Sequence, residues 1–475
     1  MKDYGGKGMT MKHLETSLIA LALIAAPAAA GCGDDDGEVM PGVDAGPRVD
    51  SGPGVDAGPG VDAGPGVDSG PTGCPALADR TVVDVTGEID ADTTWTCDNL
   101  YSLGSAVYVT AVLTIEPGVV VQGTGGANAL IVTTMGRIEA SGTATAPIVF
   151  TSANPEGSRA PGDWGGVVLL GTAPINVAGG TNNIEGLDPG ESRGTYGGTD
   201  AGHDCGTLEY VRIEFAGFVF GADNELNGLT LGGCGSDTTL DYIQVHAGSD
   251  DGIEFFGGTA NLSHAVVTHV EDDCLDTDQG YQGMVQFLIT QQTPTTGDRG
   301  FEMDNRETDF DADPRSKPVV WNATVVGGGG AGQNGTRLRH GTAGEFGNMI
   351  VMNYDMGDCF GIQHDETGAQ VTAGELTITN SITFECMAAF NYRDMTTDPA
   401  IDFAESTHMN QVGVDPMLAD PTNVDEPDFA PAAGADLTTG AGTPPAGLDT
   451  TATFLGAIDP AGEDWTTGWT SYPVD

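Results

Sequence analysis

From Cys74 onward the chain consists of short runs in which apolar and polar residues alternate, separated by Gly and Asn. Examples are "YVTAVLTIEPGVVVQG", "NALIVTTMGRIEASG" and "APIVFTS". A two-residue alternation sends successive side chains to opposite faces, so these runs predict half-buried β-strands. The pattern also recurs on a longer scale. Laying residues 239–256 over 261–278 without a gap pairs Leu240 with Leu262, Ile243 with Ala265, Val245 with Val267 and Ile253 with Leu275, a period of 22 residues. Met284, Leu288 and Ile289 continue it, and "LEYVRIEFAG" from Leu208 resembles "LDYIQVHAGS" from Leu240.

A period of about 20 to 25 residues suits leucine-rich repeats or β-helix coils. Leu is sparse here, Val, Ile, Thr and Gly dominate, and no run of ten residues shows a helical period. The fold class predicted is therefore all-β: a right-handed parallel β-helix of roughly 22-residue coils over residues 74–394, inward side chains stacking on their equivalents one coil away. Roughly nine to twelve coils are expected between Thr94 and Asp394. Residues 395–475, rich in Pro and Asp, are expected to cap the last coil, because an open sheet edge invites pairing with other chains.

Upstream of Cys74 the pattern changes twice. Lys12 and His13 precede an apolar run, Leu18 to Ala26, long enough for a signal peptide and too short to span a bilayer. "AAGC", Ala29 to Cys32, follows and looks like the lipobox of a bacterial lipoprotein, with Ala29 in place of the commoner Leu. Residues 1–31 then form the lipoprotein signal peptide, and the Cys32 thiol receives the lipid. The alternative is an ordinary cleaved signal with Cys32 as a free thiol. Both routes lead out of the cytoplasm. Within residues 32–73, the stretch 41–71 places Pro at 41, 47, 53, 59, 65 and 71, a six-residue period with no apolar residue larger than Val to bury. That composition predicts a disordered tether, spanning roughly 35 Å as a coil and on the order of 130 Å if drawn out as polyproline II.

Charge narrows the partners. With 16 Lys+Arg against 69 Asp+Glu the formal net charge is −53, which repels nucleic acid and anionic membrane surfaces. Any membrane contact is expected through the lipid alone, and the chain is expected to be a monomer.

Longer strings carry a resemblance. "LTIEPGVVVQG" (from Leu113), "PIVFTSANPEGSRAPGDWGGVVLLGTAPIN" (from Pro147), "ELNGLTLGGCGSDTTLDYIQVHAGSDDGIEFFGGT" (from Glu225) and "GAIDPAGEDWTTGWTSY" (from Gly456) resemble the pectin-lyase-like β-helix superfamily. More closely, they resemble tethered surface lipoproteins of Gram-negative bacteria. The resemblance implies the fold and a cell-envelope location, lipid-anchored to the outer membrane or cell surface. It brings no established reaction.

Of the eight cysteines, Cys32 is assigned to lipid. Cys74 with Cys97 would close a loop worth about 3 kcal/mol at the open end of the helix. Cys205 with Cys234, and Cys359 with Cys386, lie about one coil plus an insertion apart, which leaves Cys274 unpaired and inward, in the slot of Gly252.

The repeat also stacks acids. Asp250 falls over Asp272 and Asp298, Asp251 over Asp273, and Glu254 over Asp276 and Glu302, with Asp278 and Asp304 beside them. Equivalent residues one coil apart sit about 4.8 Å from each other. Two carboxylates at that distance repel by roughly 1 kcal/mol in water and roughly 3 to 4 kcal/mol at an effective dielectric of 20. Such a ladder is tolerable if it is fully wet, neutralised by a cation, or partly protonated. Ca²⁺, a hard ion taking six to eight oxygens, is the natural cation, with Asp250, Asp251, Asp272, Asp273, Asp276 and Asp278 as candidate ligands. Solvated turn carboxylates without an ion are the alternative. Arg299 occupies the slot of Asp251 and Asp273 one coil on and is expected to form a salt bridge.

A catalytic reading uses the same residues. Superfamily lyases pair Ca²⁺ with an Arg or Lys base, and superfamily hydrolases use Asp clusters, so Asp272, Asp273 and Arg299 are the alternative catalytic set. The accompanying "NTD" and "GHG" strings of polygalacturonases are absent, and "RHG" at Arg339 is a poor substitute. His246 and His269 read as surface strand residues rather than zinc ligands, and Trp164 as core. The functional expectation is a lipid-anchored, extracytoplasmic surface for binding or adhesion, Ca²⁺-stabilised and directed at glycan. A Ca²⁺-dependent polysaccharide lyase or glycoside hydrolase on the same scaffold is the rival.

Overall fold

The computed structural model describes residues 73–187, 190–221 and 224–473. The signal peptide, Cys32 and the tether as far as residue 72 lie outside the described residues. Among the described residues, twenty-four strands join by parallel pairing into a right-handed β-helix. Each coil contributes to three faces in turn. In the central coils one strand bends to serve two of them: Thr239–His246, Leu262–Thr268 and Met284–Gln291 each give residues to the first sheet, turn once, and continue into the second. The third sheet follows across a loop. Among the described residues it has eleven rungs: 87–89, 107–109, Ala129–Val132, Gly166–Leu170, Leu229–Gly232, Ile253–Phe256, Leu275–Asp278, Arg299–Asp304, Asn334–Arg339, 358–363 and 388–393.

The rungs hold together through rows of like side chains. Leu229, Ile253, Leu275, Phe301, Thr336 and Phe360 are consecutive partners pointing inward, and all are fully buried. Each large apolar side chain buried this way contributes about 1.5 to 3 kcal/mol. That stabilisation, summed along the axis, lets the outer surface carry strained charge. Trp164 is fully buried, its Nε1 donating to the Glu214 carbonyl at 2.9 Å.

The bend between first and second sheets requires one residue in the left-handed region. Tyr210, Tyr242, His264, Phe287, Asn322, Asn348 and Asn380 occupy it, with φ between 46° and 60°. Asn tolerates that conformation; aromatic residues ordinarily avoid it. Here they are compensated by stacking: Tyr210 on Tyr242 at 4.3 Å, Tyr242 on His264 at 4.4 Å and His264 on Phe287 at 4.7 Å.

The segment after Arg393 does two things. Phe403 packs on Phe390 at 5.7 Å and Gln411–Val412 adds a last short strand, covering part of the final coil. The chain then runs back along the flank. Asn380 donates to the Gly440 carbonyl (2.7 Å), Asn348 to Gly442 (3.0 Å) and Asn322 to Phe454 (2.7 Å). Gln244 donates to Ser471 (2.7 Å). Phe429, Leu437, Leu455 and Trp469 thereby cover the outward apolar residues of the second sheet, Val266, Ile289, Val326, Ile350 and Ile382.

Two expectations need correction. A nine-residue α-helix, Asp365–Ala373, interrupts the coils. Its acidic first turn, Asp365 and Glu366, suits the helix dipole, and Gly374 at φ 75° closes it. His246 is not a surface residue: the returning tail buries it, with Nε2 bonded to the Pro473 carbonyl at 3.1 Å and Nδ1 to Thr268 Oγ1 at 2.7 Å. Disulfides join Cys74–Cys97, Cys205–Cys234 and Cys359–Cys386, and Cys274 is free and buried. Burial pushes its thiol well above the ordinary value, which makes it a poor nucleophile.

Candidate functional site

Outward positions of the third sheet change character along the axis. At the N-terminal end they are apolar, and residues of the insertion between Leu170 and Gly206 cover them: Ile175, Ile184 and Tyr196 pack with Ile131, Val168, Leu170 and Phe256. Next come acids. Glu254, Asp276 and Glu302 are consecutive partners, and Arg337 is the partner after them. One register on, Phe256 pairs with Asp278, and Asp304 with Arg339. The face thus runs from apolar through acidic to basic.

The turn before the third sheet adds a second column. Asn227, Asp251, Asp273, Arg299, Asn334 and Asp358 each stand two residues before an aligned inward residue. Several of these side chains pin the next coil: Asp251 Oδ1 accepts from the Asp273 backbone N–H (2.9 Å), Asp273 Oδ1 from Arg299 (2.7 Å) and Asn334 Oδ1 from Asp358 (3.2 Å). The aspartates at this slot therefore have a folding role whatever else they do. Asn227, which the ladder reading overlooked, donates to Glu254 Oε2 at 2.5 Å. It was readable by laying "NGLTLGG" on "DGIEFFGG".

Four groups of three carboxylates bring oxygens within 4.8 Å of one another: Asp250–Asp251–Asp272, Asp251–Glu254–Asp276, Asp272–Asp273–Asp298 and Asp273–Asp276–Glu302. Five of the six expected ligands fall in these groups. Asp278 does not; it lines a neighbouring recess of about 290 Å³ with Asn182, Gln279, Arg306 and Glu307. The solvated reading suits Asp272, which is exposed, but not Asp251, Glu254 and Asp273, which are 7, 6 and 2 % exposed.

Electrostatics divides the face in two. On the C-terminal side Arg299 reaches Asp298 (2.6 Å), Glu302 (3.0 Å) and Asp273 (3.3 Å), and Arg339 reaches Glu302 (2.5 Å) and Asp304 (2.9 Å). Asp304 also bonds His340 Nδ1 at 2.7 Å. On the N-terminal side no arginine forms an ion pair with Asp250, Asp251, Glu254 or Asp276 among the described residues. Burial first, and then Asp272, pushes Asp250 up to about 8. Burial and then Asp276 push Asp251 well above the carboxylate range; burial and then Glu185 do the same to Glu254, and burial and then Glu302 to Asp276. Burial and then Asp304 raise Asp278 and Glu302 to about 7. The buried oxygens Asp276 Oδ1 and Asp278 Oδ1 have no hydrogen-bond partner among the described residues. Oxygen-only donors, too close together and too dry to be ionised alone, fit a hard divalent cation.

The alternative catalytic set is differently placed. Arg299 is held by three carboxylates, and Asp273 is inaccessible and bonded to the Arg299 backbone. The oxygens of Asp272, Asp273 and Asp298 lie within 4.8 Å of one another, closer than the roughly 6.5 to 9.5 Å that admits an attacking water between an inverting pair.

A family model described as a pectate-lyase like beta helix domain matches residues 87–470. No curated protein and no solved structure matches the chain.

Proposed function

We propose, on the premise that the chain belongs to the pectate-lyase-like β-helix family, that it is a cell-envelope protein that presents the acidic third-sheet face as a Ca²⁺-stabilised surface for binding glycan. The observation that carries this reading is the cation-poor half of the ladder, where Asp250, Asp251, Glu254 and Asp276 crowd without an arginine ion pair among the described residues, and Asp272, which Arg299 and Arg339 influence without pairing with it, stands beside them. Glu254 and Asp276 would hold the ion from the sheet and Asp250, Asp251 and Asp272 from the turn; bound there, it would supply fixed positive charge and open coordination positions to which ligand oxygens could bind. Lipid attachment at Cys32 and the tether of residues 32–73 would hold this surface away from a membrane, at the outer membrane or cell surface. A lyase or hydrolase has less support, because its candidate base Arg299 is already paired.

Retention of the mature protein on immobilised acidic and neutral oligosaccharides is expected with Ca²⁺, and it should fall at least about tenfold with chelator or in the Asp251→Ala/Asp276→Ala variant. Retention indifferent to Ca²⁺ would remove the cation from the account. Release of new reducing ends or unsaturated products would favour the enzyme.

A further inference from the structure

Beyond the acidic half of the face stands an arginine whose charge nothing in the fold uses. Arg337 follows Glu302 in register and alternates with the inward residues Thr336 and Leu338, which sets it on the outer surface of the third sheet. It is nevertheless only 8 % exposed. The neighbouring arginines all have acids: Arg299 has Asp273, Asp298 and Glu302, Arg339 has Glu302 and Asp304, and Arg393 has Asp358 at 2.6 Å. Arg337 has no ion pair and no hydrogen bond among the described residues, and its buried Nε is without an acceptor. The acids near enough to influence it, Asp358 and Glu302, are taken. Asp358 accepts from Asn391 and Arg393, and Glu302 pairs with Arg299 and Arg339.

The surroundings sharpen the contrast. Burial, and then Arg393 and Arg299, push the Arg337 guanidinium below its ordinary value. The fold also clears space for it: a Cβ on Gly361, one coil on, would come within 3.3 Å of both Cζ and Nε. A buried guanidinium lacking a counter-ion is costly, and the cost falls when a bidentate oxyanion meets its planar fork. In a chain with 69 acidic residues, the lack of one here requires a reason.

We infer that Arg337 anchors an oxyanion-binding site on the third-sheet face, for a sulfate, phosphate or carboxylate group. This deepens the proposal of a ligand-binding face and rests on it, by naming the group a ligand would place two rungs beyond Asp276 on the same face. The subsite itself needs no metal, so the two can fail separately. The same chemistry could arrive as a free inorganic anion or as an acidic substituent on a sugar.

Calorimetric titration of the mature protein with sodium sulfate, in chelator and at ionic strength fixed with chloride, is the test. Sulfate is kept in the low-millimolar range, below its general stabilising action on proteins. Saturable binding is expected for the wild type. Arg337→Gln should weaken it about tenfold to a hundredfold, the loss of a charge-assisted hydrogen bond. Arg337→Lys should restore part of it, and Gly361→Ala, which crowds the guanidinium without removing it, should weaken it as well. A sulfated glucose and glucuronate form the second arm: tighter binding than the free anions assigns the site to glycan, and equal binding assigns it to inorganic anion. No saturable binding by the folded wild type, or equal binding by the Arg337→Gln variant, overturns the inference. If sulfate binds in chelator while Ca²⁺ leaves glycan retention unchanged, the oxyanion site stands and the cation reading fails.

Discussion

A chain ending at Gly413 is expected to aggregate on expression, although every strand of the three sheets is retained. The tail that it lacks covers Val266, Ile289, Val326, Ile350 and Ile382 on the outside of the second sheet. At about 1.5 to 3 kcal/mol for each large side chain re-exposed, the loss rivals the whole stability of an ordinary domain, about 5 to 15 kcal/mol. The apolar strip laid bare would be continuous and strand-like, a surface prone to self-association. The point substitution Trp469→Ala probes the same contact more gently. Trp469 is 1 % exposed and meets Tyr210 and Tyr242 edge-on at 5.8 and 5.9 Å, so truncation should cost about 3 to 5 kcal/mol. Chemical denaturation of the variant and light scattering of the truncation check both. A soluble, monomeric truncation with an unchanged unfolding midpoint would show that the tail is only laid on the helix, not part of its stability.

In chelator, stability is expected to fall as pH rises from about 5 to 9, opposite to the usual behaviour of a protein whose carboxylates are ion-paired. The sign follows from folded values raised above the unfolded ones. Asp278 and Glu302 rise to about 7 and Asp250 to about 8, burial being the first cause of each. Their contribution is fully present below the unfolded value, near 4, and is lost as pH climbs through 7 to 8. Each tenfold gain in proton affinity on folding corresponds to about 1.4 kcal/mol, so the loss is on the order of several kcal/mol. His246 acts at the other end. Burial lowers it to about 3, so its contribution is present above the unfolded value, near 6.5, and is lost as pH falls toward 3. Because three raised carboxylates outweigh one lowered imidazole between pH 4 and 6.5, denaturant midpoints in chelator should peak near pH 4 and fall on either side. A midpoint that rises steadily to pH 9 would mean that the ladder ionises without cost.

The β-helix could be read from the sequence because its coils repeat without gaps where it matters. Asp250 and Asp272, or Ile253 and Leu275, are equivalent by simple alignment, and parallel in-register stacking turns sequence equivalence into spatial adjacency. The stacking of acids was readable for the same reason. Their burial was not. It depends on how coils, loops and insertion close around the turn, and period-two alternation marks Glu254 and Asp276 as outward without showing how little water reaches Asp251 or Asp273. The return of the tail was hidden for a different reason: it has no period, and its partners, Asn322 with Phe454 or Gln244 with Ser471, are 132 and 227 residues apart. A surface assignment for His246 followed from that omission. The α-helix at Asp365–Ala373 is weakly patterned, held more by its end residues than by an apolar stripe. Arg337 could be placed in the ladder by alignment, but its lack of a partner emerges only once every nearby acid has been assigned to another cation.

The central claim, that the cation-poor half of the ladder is a Ca²⁺ site, is tested most directly by unfolding the mature protein at pH 8 in chelator, in Ca²⁺ and in Mg²⁺. The wild type and the Asp251→Asn/Asp276→Asn variant are compared. Ca²⁺ at 100 times its Kd should add about 2.7 kcal/mol to the wild type, Mg²⁺ much less because it demands a tighter octahedral shell, and neither should stabilise the variant. The gain should shrink at pH 5, where protons compete for the same oxygens. An equal response to both ions, an undiminished response in the variant, or no response at all would contradict the claim and leave the ladder as protonated scaffold.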